Sequence, residues 1–272
     1  MTEPIWAITM VAEEEDIIGY TISHLLSQDI NGILIADNVS KDGTRTILEH
    51  FKADYPRQIM IAEDAEIGYH QSKKMTMLAQ IAARSFGATI ILPFDADELW
   101  YSIDPSKTVG GVLREFNGIV SAAEMWNHYY VQSDIETEIN PYRKMVWRSI
   151  ESGRLAKCAY RYSSRAVIDM GNHQILDHHG NPVPSQKINL GIRHFPYRSA
   201  EQFVRKAKRG YQAMLAAPSL PRSTCLHWRE YGESIERHGE EQLKDHYRRH
   251  FTFGVEPTNN MVFDPAPYRG LL

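Results

Sequence analysis

The first hundred residues alternate short runs rich in β-branched residues with longer stretches whose apolar positions recur at helical spacing. Four runs read as strands: Ile5 to Val11, Ile33 to Ala36, Gln58 to Ile61 and Thr89 to Leu92. Between them, Ile17, Ile18, Thr21, Ile22, Leu25 and Leu26 fall on one helical face, and Met75, Leu78, Ala79, Ala82, Ala83 and Phe86 on another. Strands that alternate with helices in this way predict the α/β class: a Rossmann-like, mostly parallel sheet flanked by helices. Ligands of open sheets bind outside the carboxyl ends of the strands. Chemistry is therefore expected in the loops Ala12 to Glu15, Asp37 to Thr44, Glu63 to Gln71 and Asp95 to Trp100.

Beyond Trp100 the alternation loosens. A short helix is predicted near Val109 to Phe116 and a strand near Ile119 to Met125, followed by mixed strand signals to about Ile192. This C-terminal part reads as α+β. Ser199 with Gln202 three residues on forms a capping box for a helix from Ala200 to about Ala216, and Glu230 to His250 reads as a second helix. The pattern shows no internal repeat and no low-complexity linker, so one principal domain is expected.

Composition narrows the class. With 272 residues, 43% of them hydrophobic and 24% charged, the chain has enough apolar residues for a sizeable core and argues against long disorder. A net charge of −4 provides no global basic field, which argues against nucleic acid as a partner. Cys158 and Cys225 form neither a CxxC pair nor a disulfide framework, so a reducing, cytoplasmic setting is expected. The start Met1-Thr2-Glu3-Pro4 lacks a basic, apolar leader, and no run approaches the ~20 apolar residues that span a bilayer. Peripheral membrane contact stays open through the basic stretch from Arg198 to Arg209.

The sharpest chemical signal is Phe94-Asp95-Ala96-Asp97-Glu98-Leu99-Trp100, where an apolar strand ends in three close carboxylates. Such a cluster repels itself unless protons or a cation compensate, and hard oxygen ligands at a strand end suit Mg²⁺ or Mn²⁺ carrying a diphosphate. A solvated acidic loop is the bland alternative. The second signal, Asp37-Asn38-Val39-Ser40-Lys41-Asp42-Gly43-Thr44, begins at a strand end. A carboxylate there can accept a hydrogen bond from a base or a ribose, while Asp42-Gly43 marks a turn.

Together, in this order and spacing, the two signals resemble family 2 glycosyltransferases of the GT-A fold. The resemblance implies a GT-A-like fold in which residues 1–125 form the nucleotide-sugar-binding half and 126–272 the acceptor-side and C-terminal helical part of the same domain. It implies that Asp37 to Thr44 meets the nucleoside and that Asp95 and Asp97 meet ribose and metal-diphosphate. Val11-Ala12-Glu13-Glu14-Glu15-Asp16 is similar to the first donor-binding loop, where many members carry Asn at the position of Glu13. Gly68-Tyr69-His70-Gln71 and His194-Phe195-Pro196-Tyr197-Arg198-Ser199 resemble a branch with an Asp-Ala-Asp-Glu motif and a late His.

The expected cofactor is thus a divalent metal, Mn²⁺ or Mg²⁺, held by Asp95, Asp97 and His194. Val11, Ala12, Glu14, Asp37, Lys73, Lys74, Asp95, Arg198 and Lys206 are expected on the donor, a nucleotide-sugar and first of all a UDP-sugar. Arg205, Lys208 and Arg209 are read as a solvated helix face. The acceptor would be a saccharide, a lipid-linked or a small-molecule hydroxyl, and transfer would invert the anomeric centre. Glu124, Asp177 and His173 are the candidate bases, Glu124 first because it follows a strand after the acidic motif. Gly171-Asn172-His173 with Asp177-His178-His179 reads as an acceptor-side loop ahead of a zinc site. Trp126-Asn127-His128-Tyr129-Tyr130 either stacks on a sugar or closes the core. Two rivals use the same residues: a metal-dependent phosphoesterase and a non-catalytic nucleotide-sugar-binding protein.

Overall fold

The alternation is realised, and the sheet runs well beyond the first hundred residues. The computed structural model describes residues 3–133, 138–151 and 155–272. β1 (Ile5–Val11), α1 (Ile18–Leu26), β2 (Gly32–Asp37), α2 (Thr44–Asp54), β3 (Ile59–Glu63), α3 (Gln71–Phe86) and β4 (Ile90–Pro93) come first. They lead into β5 (Glu98–Ser102), α4 (Val109–Glu115), β6 (Val120–Asn127), β7 (Val131–Gln132), α5 (Pro141–Lys144) and β8 (Trp147–Ser149). Then come β9 (Ala156–Arg161), β10 (Val167–Ile168), β11 (Ile175–Leu176) and β12 (Ser185–His194). The last stretch holds α6 (Ala200–Leu215), α7 (Leu226–His238), α8 (Glu240–His250), β13 (Thr252–Phe253) and β14 (Met261–Phe263).

Eight strands form one sheet in the order β3-β2-β1-β4-β9-β6-β12-β5. The first four are mutually parallel; β9 enters antiparallel between β4 and β6, β12 is parallel to β6, and β5 closes the edge antiparallel to β12. This order has a simple consequence. β1, β2, β3, β4, β6 and β12 all end at the edge where β9 and β5 begin. The sheet also crosses residue 125 without a break.

Side chains of a strand alternate between faces, and both faces here are apolar. Ile5, Ala7, Ile33, Ile35 and Leu92 pack with Ile18, Ile22 and Leu25 of α1. Trp6, Ile8, Leu34, Ala36 and Ile91 pack with Met75, Leu78 and Ala82 of α3. Among the described residues no helix is long and apolar enough to cross a membrane.

Two elements differ from expectation. The stretch read as a loop to Trp100 becomes β5 from Glu98 onward, because Leu99 and Trp100 are fully buried once that strand pairs with β12. The single helix expected over Glu230 to His250 is two, broken at Gly239. Its φ of 81° and ψ of 171° are outside helical space and accessible to glycine. The capping box of α6 holds in part: Ser199 Oγ accepts from the Gln202 amide at 3.1 Å, while Gln202 Oε1 turns to the Arg198 amide.

One buried guanidinium fastens the loop after β1 to the loop after β12. Arg198, 5% exposed, donates through Nε and Nη2 to both oxygens of Asp16 at 2.7 and 2.8 Å, and through Nη1 to the Phe195 carbonyl at 2.9 Å. Its Nη2 also meets Glu14. Farther along, Asp264 accepts from Arg148 at 2.7 Å and Arg193 at 2.9 Å, and its carbonyl accepts from His128 Nε2 at 2.9 Å. His24 donates from Nε2 to the Trp100 carbonyl at 2.8 Å and accepts the Arg269 amide on Nδ1 at 3.0 Å, so its ring is held neutral by its partners.

Removing one partner from a buried ion cluster leaves uncompensated charge, which costs about 3–5 kcal/mol. Arg198→Met should lose stability of that order in urea unfolding. Arg198→Lys should recover little, since an ammonium cannot reproduce the fork. Burial depresses His24 and His128 to about 4 each. The unfolded chain, with histidines near 6.5, then binds protons that the folded chain refuses. Stability should therefore fall as pH drops from about 6.5 toward 4. Thermal unfolding would show it; an unchanged Tm between pH 7 and 5 would contradict it.

Candidate functional site

The edge where six strands end carries the acidic motif. Beyond β4 the chain turns at Asp95 to Asp97 and re-enters the sheet as β5, and the turn is stapled by its own fourth residue. The Glu98 amide donates to the Asp95 carbonyl at 3.0 Å, and Glu98 Oε2 accepts from the Asp95 amide at 3.1 Å. Lys157, at the start of antiparallel β9, bridges Asp95 Oδ2 at 2.6 Å and Glu98 Oε1 at 2.8 Å. Asn172 Nδ2 donates to the other Asp95 oxygen at 3.1 Å. Asp95, 31% exposed at its side chain, keeps one open side.

Asp97 is almost fully buried and faces different partners. Lys206 of α6 donates to its Oδ2, Arg198 Nη1 is 3.8 Å from the same oxygen, and His194 Nε2 is 3.5 Å from Oδ1. Burial alone would raise the Asp97 carboxyl, but the neighbouring charges, Lys206 foremost, outweigh it and hold it well below the usual range. Glu14 goes the other way. Its burial, reinforced by Asp97 and Asp16, raises it despite Lys206 and Arg198. Burial likewise raises Glu98 in spite of Lys157. Five carboxylates (Glu14, Asp16, Asp95, Asp97, Glu98) thus share three side-chain cations (Lys157, Arg198, Lys206), and the cluster is short of positive charge.

The ring of His194 is aimed by Asn127, whose Oδ1 is 2.7 Å from Nδ1. An amide oxygen only accepts, so Nδ1 carries hydrogen. In the neutral ring, the Nε2 lone pair then faces Asp97 Oδ1 across a gap longer than a hydrogen bond. Two ligands of one Mg²⁺ at about 2.1 Å each stand about 3 Å apart. Asp97 and His194 therefore fit a divalent cation as a pair. Asp95 is turned to Lys157 and Asn172, so the expected trio is not assembled. Among the described residues no group of three or more His, Cys, Asp or Glu side chains is arranged to hold a metal.

The cleft above this edge has three connected parts. A central space of 320 Å³ is lined by Val11, Ala12, Glu14, Asp95, Asp97 and Lys206, with His194 and Tyr129. On one side lies a space of 170 Å³ between Ala12, Asn38, Gly68 and Arg209. On the other is a space of 460 Å³ reaching Asn127, Lys157, His173 and Cys225. Tyr69 and Trp228 line all three. A larger groove of 610 Å³ runs along α3 past Lys73 and Met77, and none of the clustered carboxylates lines it.

Several expected contacts change under this geometry. Asp37 is buried with Oδ1 on the Ser40 amide at 3.2 Å and does not line the cleft; Asn38, one residue on, does. The turn after Asp37 is a brace, since Ser40, Thr44 and Asp42 accept from the amides of Glu13, Glu14 and Glu15 at 3.1, 2.9 and 3.2 Å. Lys74 pairs with Asp64 at 2.6 Å behind the cleft, Lys73 faces the separate groove, and Arg198 is consumed by its clamp. Arg209, read as solvated, instead reaches Asn38 and the cleft.

Neither first-choice base lines the cleft. Glu124 lies on the face of β6 opposite Met125 and pairs with Lys187 at 2.9 Å, because alternation along the strand turns it away. Asp177 is half-buried and caps its own turn through the amides of His179 at 2.8 Å and Asn181 at 2.9 Å. The aromatic run divides: Tyr129 enters the cleft, His128 stacks on Phe195 at 4.8 Å in the core, and Trp126 lies under Arg148 at 4.3 Å. Lys157 and Trp228 were not expected at the site, while Tyr69, Asn127 and Asn172 lay in segments singled out from the sequence without a role of their own.

No family model matches the chain, and neither does any curated relative. Solved structures do show similarity. S. aureus TarS 1-349 is 10% identical, covering 98% of this chain and 99% of that one with a TM-score of 0.44. The same protein in complex with UDP is 11% identical, with the same coverage and a TM-score of 0.39. The mannosyltransferase PcManGT from Pyrobaculum calidifontis, in complex with GDP-Man and Mn²⁺, is 14% identical, covering 92% of this chain and 74% of that one with a TM-score of 0.43.

Proposed function

We propose that the cleft is the active site of a metal-dependent glycosyltransferase of the GT-A type, acting on a nucleoside-diphosphate-sugar donor. The observation that carries this reading is the Asp97–His194 pair. Two metal-ligand atoms face each other at 3.5 Å at the end of β4 and β12, in a cluster with more carboxylates than cations. A divalent cation bound there would neutralise charge growing on the leaving diphosphate. Lys206 stands beside it to meet the same oxygens. Val11, Ala12, Asn38 and Arg209 line the part of the cleft that would take the nucleoside. Asp95, fixed by Lys157 and Asn172, stands between the central space and the wider one, where the sugar meets its acceptor.

The acceptor hydroxyl attacks the anomeric carbon, the bond to the phosphate oxygen breaks with its electron pair leaving on the nucleotide, and the configuration inverts. A neutral acceptor suits the wider space, because its lysine, Lys157, is already engaged by two carboxylates.

UDP and GDP with Mn²⁺ are the first probes, and either should raise Tm only when metal is present. Asp97→Asn should abolish metal-dependent turnover. His194→Ala and Asn127→Leu should raise the Mn²⁺ concentration for half-saturation by about 10- to 100-fold, the second because it frees the ring of His194. Titration followed by calorimetry checks this, and superimposable Mn²⁺ isotherms for wild type and His194→Ala would exclude His194 as a ligand.

A further inference from the structure

The segment Gly171-Asn172-His173 adopts a conformation that most residues avoid. Gly171 and Asn172 are both left-handed, with φ of 73° and 59°, and Asn172 is fully buried. Glycine and asparagine are the residues that tolerate this region best, and burial fixes Asn172 in it. Here the surroundings are plain. Asn172 holds Asp95, the Gly171 amide donates to Gln71 Oε1 at 2.9 Å, and Tyr69 donates to that same oxygen at 2.9 Å. From below, the Cys158 thiol donates to the His173 carbonyl at 3.1 Å.

The product of this arrangement is one orientation of the His173 ring. Its Nδ1 is 2.8 Å from the Ala156 carbonyl. A carbonyl only accepts, so Nδ1 carries the hydrogen and the neutral ring has a bare Nε2. A Cβ on Gly171 would come within 2.6 Å of Cδ2 and 2.7 Å of Nε2, so glycine there clears the space that this edge of the ring occupies. The ring lines the wider part of the cleft, on the same side as Asp95 and His194. Burial, with help from Lys157, lowers its affinity for a proton, which keeps it in the basic form at neutral pH.

The carboxylates first considered as bases are engaged or turned elsewhere. Both Asp95 oxygens are held by Lys157 and Asn172, and Glu124 and Asp177 face elsewhere. His227 borders the same space but is exposed on α7, its ring tilted against Trp228 at 4.4 Å and edge-on to Tyr231 at 6.3 Å, with no hydrogen bond among the described residues to fix its direction.

We infer that His173 is the general base of this site, taking the proton from a neutral acceptor hydroxyl, with Gly171 and Asn172 positioning it. The inference rests on the glycosyl-transfer reading of the cleft. As the acceptor oxygen bonds to the anomeric carbon and the phosphate leaves with its electron pair, the hydroxyl proton passes to Nε2, and the imidazolium later releases it to water. Removing a general base slows such a step by about 10²- to 10⁴-fold.

The full chain with Mn²⁺ and UDP-glucose or GDP-mannose, with water as acceptor, is the test, read as release of nucleoside diphosphate. His173→Ala should slow release by about 10²-fold or more while the Kd for the nucleoside diphosphate changes less than about twofold. Sodium azide, a nucleophile with no proton to lose, should restore the rate and give the glycosyl azide. Release at the wild-type rate would overturn the inference. So would a slow variant that azide does not restore, because His173 would then only shape the loop. Failure of the underlying reading looks different: wild type itself would bind neither UDP nor GDP and release nothing from either sugar nucleotide.

Discussion

Five carboxylates converge on one edge of the sheet, and burying them obliges the chain to bring cations there from distant parts of the sequence. Arg198 arrives on the loop after β12, Lys206 one helical segment later, and Lys157 at the start of a strand that runs against its neighbours. Each holds two acids at once: Arg198 joins Glu14 and Asp16, Lys206 joins Glu14 and Asp97, and Lys157 joins Asp95 and Glu98. A buried charge without a partner is prohibitively costly. The loop after β1, the acidic turn and the start of α6 therefore adopt their observed positions together or not at all. The cluster remains more acidic than its cations, which leaves it receptive to one added positive charge.

Much of this edge was legible in the sequence for a physical reason. Strands with two buried faces read as continuous apolar runs, and the polar residues that end them must lie at the sheet's edge. That logic located Ala12, Glu14, Asp95, Asp97 and, through the run ending at Arg193, His194. Ser199 was readable because an N-cap is a contact between neighbours in sequence. Gly239 carried an equally local signal, a glycine between two helical stretches, which would have divided the last helix correctly.

Residues whose roles depend on topology were not legible. Lys157 looks like any lysine in a β-like run until β9 is seen to run antiparallel between β4 and β6, which places its first residues beside the acidic turn. Asn127 and Asn172 act through partners 67 and 77 residues away. Glu124 misled because a strand end is near the site on both faces, and only the register shows which face a side chain takes. Asp37 misled for a subtler reason. The acid at the end of β2 is close to the cleft, but its oxygens serve the turn that braces the neighbouring loop, and the next residue faces the ligand space.

Asp264 has a consequence for how the protein is made. Its partners Arg193, Arg148 and His128 lie 71, 116 and 136 residues earlier in the chain. Arg193 immediately precedes His194, and the His128 amide donates to the His194 carbonyl at 2.7 Å. During synthesis from the N-terminus, β1 to β4 can pair as they emerge, since each needs only neighbours already present. Until residue 264 has left the ribosome, those three side chains lack their common acceptor, and the end of β12 is held only by its pairing with β6 and β5 and by Asn127. A nascent chain stalled before that point would carry a finished sheet with two guanidinium groups at its edge and no carboxylate between them.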